Sequence, residues 1–305
     1  MTARIYLGTS SWADEGLVKS GFYPSELRDT AERLAFFAKH FDLAEIDSTY
    51  YALPSRKNFE RWAAAVPDGF RFAVKAMALF TQHPTRMSAI PASFRERLPA
   101  EIAKRARVYY KDVPQEVRAE LWAIFLRAVD LLREAGKLAA VLMDFPPWFV
   151  PSTANRALLA ETREFLAGYP VIVEFRNRLW LEDDASAKAT FDCLREFGYG
   201  FCAVDEPPGL ASSMPPIAKA TAAIGSVRFR GRNAANWERK GASMEERLDW
   251  TYSREELEEW LPRIERLAAA TEQLFLVFNT KAGGQSVSNA RLMQELLGVS
   301  VRAER

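Results

Sequence analysis

Eight short runs rich in β-branched and aromatic residues recur along the chain, each separated from the next by a longer stretch of helical periodicity. They are Ile5–Gly8, Leu43–Asp47, Phe70–Ala76, Ala139–Phe145, Val171–Phe175, Gly200–Val204, Ser226–Arg230 and Gln273–Phe278. The helical candidates are Thr30–Lys39, Asn58–Ala65, Glu116–Ala135, Asn155–Leu166, Ala185–Phe197, Arg254–Ala270 and Ser288–Leu297. Segments such as Val171-Ile172-Val173 and Leu274-Phe275-Leu276-Val277 are apolar without alternation. Parallel strands covered on both faces read this way. Two parallel architectures compete, an open doubly wound sheet and a closed barrel, and eight βα units fit the barrel with none left over. The expectation is a single TIM-type (β/α)8 barrel spanning 1–305.

Helix-end signals agree. Ser253 stands where an N-cap should before Arg254-Glu255-Glu256, and Gly136 and Gly198 stop helices ahead of the fourth and sixth strands. Two connections exceed what a crossover needs. The first, 88–114 after strand three, interleaves arginines and lysines with Ile90, Phe94, Leu98 and Tyr109-Tyr110 and predicts an insertion over one rim. The second, 231–252 after strand seven, carries Trp237 and Trp250. Both leave from C-terminal strand ends, where they would wall or cover the barrel mouth.

Bulk charge names no partner, because a net charge of +1 creates no field that would draw nucleic acid or an anionic membrane. No apolar stretch is long enough to span a bilayer, and Met1-Thr2-Ala3-Arg4 runs into Ile5 without an apolar leader core, so a cytoplasmic protein is expected. Cys193 and Cys202 fit neither a CxxC pair nor a zinc knuckle, and read as reduced and buried. With His40 and His83 as the two histidines, three imidazole ligands cannot come from one chain, and His40 reads as a helix C-terminal residue against the barrel wall.

The barrel reading gives the polar residues their weight, since C-terminal strand ends and the following loops build the site in this fold. Thr9, Ser10 and Trp12 follow strand one; Glu45, Asp47 and Tyr50 strand two; Lys75 strand three, with His83 a short loop beyond. Asp144 ends strand four, Glu174, Arg176 and Asn177 strand five, Asp205 strand six, Arg228, Arg230 and Arg232 strand seven, and Asn279 and Lys281 strand eight. Period-two alternation points Glu45 with Asp47, Glu174 with Arg176, and Arg228 with Arg230 to common sides. Such a cluster is either an internal salt-bridge network or a ligand site.

The segments Gly8-Thr9-Ser10-Ser11-Trp12, Phe22-Tyr23-Pro24, Glu45-Ile46-Asp47-Ser48-Thr49-Tyr50-Tyr51, Phe72-Ala73-Val74-Lys75, Phe145-Pro146-Pro147, Glu174-Phe175-Arg176-Asn177 with Trp180, and Phe278-Asn279 with Asn289-Ala290 resemble the domain of unknown function 72 family, also called YecE-like. The resemblance runs over almost the whole chain and implies a TIM-type barrel with no established activity. Departures from the family's usual residues are Asp47 for asparagine, Asp144 for glutamine, Arg230 for histidine, and Asn279-Thr280-Lys281 for Asn-Asn-His.

The chemistry these residues suggest is acid–base. Glu45, Asp47, Lys75, Glu174 and Arg176 form the candidate catalytic set, with Glu174 and Arg176 as a carboxylate and its cation, or else as a mutual salt bridge. Lys75 could serve as a base or Schiff-base nucleophile if desolvated, or pair with Glu45 or Asp47. Anion binding falls to Thr9, Ser10, Trp12, Tyr50, Asn177, Asp205, Arg228, Arg230, Asn279 and Lys281. Gly283 and Gly284 join them if the following helix N-terminus holds a phosphate or carboxylate. Carboxylates from several strands, with His83, would suit Mg²⁺ or Mn²⁺ if they converged, although no metal is assigned. Trp12, Tyr23, Tyr50, Tyr51, Trp148 and Trp180 would stack a ring or seal the barrel. The leading expectation is a hydrolase, lyase or isomerase acting on an anionic, phosphorylated or sugar-like small molecule. The alternatives are a nucleic-acid-binding protein, from the basic stretch between Ser88 and Lys111, and a non-catalytic small-molecule sensor.

Overall fold

The computed structural model describes residues 3–299. Strands β1 (Arg4–Thr9), β2 (Leu43–Ile46), β3 (Arg71–Lys75), β4 (Leu138–Asp144), β5 (Val171–Glu174), β6 (Gly200–Asp205), β7 (Ile224–Phe229) and β8 (Gln273–Phe278) close into one parallel barrel in sequence order. Closure is made by β1 on β8, from Arg4 opposite Gln273 to Thr9 opposite Phe278. On its other side β1 touches β2 through Gly8 and Thr9, opposite Leu43 and Ala44. A Cβ at Gly8 would lie 1.6 Å from the Leu43 carbonyl oxygen, so this approach needs glycine.

The helices form because their apolar residues recur at helical spacing and face the barrel wall. In Gln115–Glu134 the buried residues are Val117, Leu121, Trp122, Phe125, Ala128, Val129 and Leu132. Trp122 stacks on Phe80 with ring centroids 3.8 Å apart. Each such side chain contributes about 1.5–3 kcal/mol when fully buried. The expected caps are in place: Ser253 closes a capping box with Glu256, and Gly136 and Gly198 take φ of 67° and 72°.

The helix expected over Arg254–Ala270 is two helices, Arg254–Glu258 and Leu261–Ala270. Pro262 lacks the N–H that a continuous helix would need there, and the break turns Trp260 inward, fully buried. The eight-unit reading also needs correction at one crossover. Among the described residues no helix lies between Asp205 and Ile224, where Pro207, Pro208, Pro215 and Pro216 stand.

Both long connections carry structure. The one after β3 holds an antiparallel ribbon, Thr85–Arg86 against Arg107–Val108, and the short helices Ala92–Arg95 and Ala100–Ala103. Its regular structure begins with a single turn of helix at Ala78–Thr81 and its ribbon at Thr85, ahead of the expected 88–114. Its basic residues are partly spent: Arg97 makes a bidentate pair with Glu120 at 2.7 and 2.8 Å. The loop after β7 folds into one-turn helices, Ala234–Trp237 and Met244–Arg247, and reaches over the barrel mouth with Met244 and Leu248. No helix among the described residues is long and apolar enough to cross a membrane.

Candidate active site at the barrel mouth

The C-terminal strand ends surround a cavity of about 110 Å³. That is small beside the roughly 300–1,000 Å³ of sites for drug-sized ligands, so it suits a small ion or a polar head group. Ser10, Glu45, Asp47, Tyr50, Lys75, Arg176, Arg228, Arg230, Asn279 and Lys281 all line it. Six of the seven residues expected to share one pocket, Glu45, Asp47, Lys75, Arg176, Arg228 and Asn279, thus meet at one cavity, because parallel strands deliver their C-terminal ends to one face; Glu174 is not in the lining.

The floor is a chain of alternating charges. Arg228, from β7, crosses the lumen to grip both carboxylate oxygens of Glu45, one through Nη1 and the other through Nη2 at 3.0 Å. Its Nε lies 3.6 Å from Glu174. Arg230 binds Glu174 Oε1 through Nη2 and through Nε at 2.8 Å, and lies 3.6 Å from Asp144. Lys75 Nζ meets Asp144 Oδ2 at 2.7 Å and sits 4.7 Å from the Tyr50 ring centroid. Burial alone would push the Asp144 carboxyl up; Lys75, Arg230 and Arg176 outweigh it and hold the group well below the usual carboxylate range. For Arg228 burial is likewise outweighed, here by Glu45 and Glu174, which raise the guanidinium well above its usual value.

Three expectations change at this floor. Glu174 is wholly buried and is not among the residues that line the cavity. Its cations are Arg230 and Arg228 rather than Arg176, because Arg176 extends past the strand end toward the mouth. Glu45 lines the cavity with both of its carboxylate oxygens held by Arg228. Lys75 pairs with Asp144, not with Glu45 or Asp47.

Arg176 is the exception among the cations. Its guanidinium lines the cavity, its Nε is buried without a partner, and it forms no hydrogen bond or ion pair with a described residue. Burial, then the neighbouring Arg230, pushes it below the ordinary guanidinium range. Higher in the mouth, Lys281 lies 3.9 Å from Asp47, and the Ser10 hydroxyl donates to Asn279 Oδ1 at 2.6 Å.

Several expected binding residues lie elsewhere. The Thr9 hydroxyl is turned onto the Ser11 carbonyl. Trp12 is buried edge-on against Trp62 and Phe72, with its indole N–H on Thr30 O. Asn177 caps the short helix Arg178–Leu181 and donates to Pro147 O. Asp205 accepts from the Tyr252 hydroxyl at 2.7 Å, from the Trp260 indole and from Arg232, and so closes the barrel wall. Gly283 and Gly284 make a left-handed turn; a Cβ on Gly284 would meet Ser20 at 2.7 Å, so the turn packs on the outer layer and not on the cavity. Tyr23 and Trp180 are buried in the wall, whereas Tyr51 and Trp148 are exposed. Both cysteines are free, Cys202 buried and Cys193 half-buried.

The carboxylates do not converge as Mg²⁺ or Mn²⁺ would need. Among the described residues no three of His, Cys, Asp or Glu gather as a metal site; Glu45, Asp144 and Glu174 each face an arginine or lysine instead. Asp144 and His83, which the sequence places at and just beyond strand ends without a catalytic or anion-binding assignment, also line the cavity. Their signal was position alone, at and just beyond a strand end. Met244 and Leu248, from the loop after β7, carried no polar signal.

Residues 6–304 match the family described as "Protein of unknown function DUF72". The UPF0759 protein YunF of Bacillus subtilis (strain 168) is 27% identical over 299 residues, covering 97% of this chain and 95% of that protein. A DUF72 family protein of Thermotoga maritima MSB8, TM1631, superposes with a TM-score of 0.75 at 28% identity, covering 97% of this chain and 99% of that one. Another, EF0366 of Enterococcus faecalis V583, superposes with a TM-score of 0.79 at 24% identity and covers 99% of each chain.

Proposed function

The chain belongs to the DUF72 family of proteins of unknown function, and from that premise we propose that its barrel mouth binds a small anionic, phosphorylated or sugar-like metabolite and acts on it by acid–base chemistry. The observation that carries the reading is Arg176. Four ion pairs, Arg228–Glu45, Arg230–Glu174, Lys75–Asp144 and Lys281–Asp47, account for the other cations of the cavity. Arg176 alone among the lining cations is left over. Its half-buried guanidinium feels Asp144, Glu206 and Glu174 only through space, with no hydrogen-bonded carboxylate, and an anion in the cavity would give it charge-assisted hydrogen bonds.

An anion on Arg176 brings the rest of the ligand against Lys75, Asp144, Asn279 and Tyr50. Lys75 supplies a positive charge where negative charge would develop on the substrate, and the floor of ion pairs keeps it in place. Sugar-like hydroxyls would find the Asn279 amide and the Ser10 hydroxyl at the same level of the mouth.

Titration calorimetry with inorganic phosphate at low ionic strength tests the reading. Arg176→Met should weaken phosphate binding about 10- to 100-fold, the equivalent of a charged hydrogen bond of roughly 1.5–3 kcal/mol. The melting temperature should stay level or rise, because the substitution removes a cation beside Arg230. Equal affinity in wild type and variant would defeat the proposal, as would no phosphate binding by wild type.

A further inference from the structure

We propose that His83 is the group that takes the substrate proton at this site, through its Nε2 atom. The proposal rests on the anion-site reading and names the base for it. Among the cavity's titratable groups, Lys75, Asp144, Arg228 and Arg230 already face opposite charges and Arg176 is kept for the anion, whereas His83 faces no counter-ion within salt-bridge distance among the described residues.

Four observations place it. The ring is held on edge between Tyr50 and Trp148, with centroids 5.1 and 5.9 Å away. The backbone is fixed on both sides, since its N–H donates to Ala78 O at 2.9 Å and its carbonyl accepts from the Thr85 hydroxyl at 3.2 Å. Pro84 follows and restricts it further. Gln82, just before it, has φ of 64°, the one non-glycine residue among those described in the left-handed region. Such a conformation costs on the order of 1 kcal/mol or more and persists where the surroundings impose it, characteristically at functional positions.

The fourth observation concerns the proton. Nδ1 lies 3.0 Å from the Thr81 hydroxyl, and that hydroxyl also donates to Ala78 O at 3.4 Å. When the Thr81 hydroxyl gives its proton to the Ala78 carbonyl, the ring donates from Nδ1 and keeps its lone pair on Nε2, the tautomer this proposal requires. Burial pushes the imidazole down to about 4, with Asp144 acting in the other direction and Lys75 and Arg176 adding to the fall. The ring is therefore neutral across the physiological range.

The groups facing it are Tyr50 from the turn after β2, Lys75 from β3, Asp144 from β4, Trp148 from the loop after β4, and Arg176 from beyond β5. In the proposed step a substrate O–H or C–H proton moves to Nε2 and the bond's electron pair stays on the substrate. The new negative charge faces Lys75 and Arg176, and the imidazolium faces Asp144. A bound anion adds to the field of Asp144 and raises the basicity of the ring, so occupancy of the cavity arms the base.

Because the chain holds two histidines, His40 and His83, imidazole ¹⁵N spectra contain two rings, and His40→Gln assigns them. The expected result is a neutral His83 at pH 5.5, protonated on Nδ1 and bare on Nε2. Saturating inorganic phosphate should raise its pKa by at least about one unit. By linkage, phosphate should then bind about tenfold more tightly to the protonated form. Thr81→Val should move part of the proton to Nε2. An Nε2–H tautomer in wild type overturns the proposal, as does a ring that ignores phosphate while calorimetry still shows Arg176-dependent binding. Either result leaves the anion site standing. Absence of phosphate binding by both methods removes the anion site and, with it, the proposal.

Discussion

Arg228→Met should lower the unfolding free energy by about 3–5 kcal/mol, the usual cost of removing one partner from a buried ion pair. Arg228 and Glu45 are 3% and 1% exposed, and Arg228 is the cation that satisfies both Glu45 oxygens. Without it Glu45 faces the lumen as an unpaired buried carboxylate, and Glu174 keeps only Arg230. Thermal unfolding should show a fall on the order of 10 °C. Adding Glu45→Leu to Arg228→Met replaces the pair by apolar groups and should recover most of the loss, since well-packed apolar replacements of buried pairs are often neutral or stabilising. If the double variant is as unstable as the single one, the loss came from packing and the charge argument fails. The outcome also separates the floor of the cavity from its mouth, because Arg176→Met should cost binding and leave stability alone.

Glu206→Gln should make the protein more stable than wild type above neutrality, by on the order of 3 kcal/mol. Glu206 stands one residue beyond β6 and is 6% exposed. One oxygen accepts from the Met214 N–H at 2.5 Å, and the other is buried without a partner. Burial pushes the carboxyl up to about 7, against the pull of Arg230 and the Met214 N–H. The folded value lies above the ordinary 4.5, so the folded state holds the proton more tightly than the unfolded chain. That contribution is fully present below about pH 4.5 and is lost as pH rises through about 7. The gap of about 2.5 between the two values corresponds to roughly 3 kcal/mol. Glutamine keeps the acceptor for Met214 and never ionises, so urea denaturation from pH 4 to 9 should give parallel curves below pH 4.5 and a growing advantage for Glu206→Gln up to pH 8. A constant difference across that range would mean that Glu206 does not titrate in the folded protein.

Much of the fold could be read from the chain because strand polarity and helix faces are local properties. All eight barrel strands coincide with their expected runs to within two residues at either end, and the ordering of the polar strand ends was enough to bring Ser10, Lys75, Arg176 and Asn279 to one cavity. Even the cap at Ser253 and the left-handed stops at Gly136 and Gly198 depend on a few neighbouring residues. The helix break at Glu259–Trp260 was legible in principle from Pro262, but an apolar periodicity that continues past it disguised the break.

What the chain alone determined, then, was which residues reach the barrel mouth; which of them remain free to act there was decided only by the tertiary structure. Ion-pair partners come from strands far apart in sequence: Glu45 meets Arg228 across 183 residues, and Arg230 reaches past β6 to Glu174 on β5. Alternation predicts the side to which a side chain points, but not how far a long guanidinium extends or which carboxylate it finds first. Glu45 and Glu174, read as catalytic, are therefore locked into the floor, while Arg176 stays unpaired above it. His83 lies in a loop with no periodic signal, and its place follows from Tyr50, Trp148 and Thr81 packing around it. Sequence spacing sets polarity and order; the competition among buried charges for counter-ions is settled by three-dimensional distance, because electrostatic attraction in a low-dielectric interior depends on that distance and on no other separation.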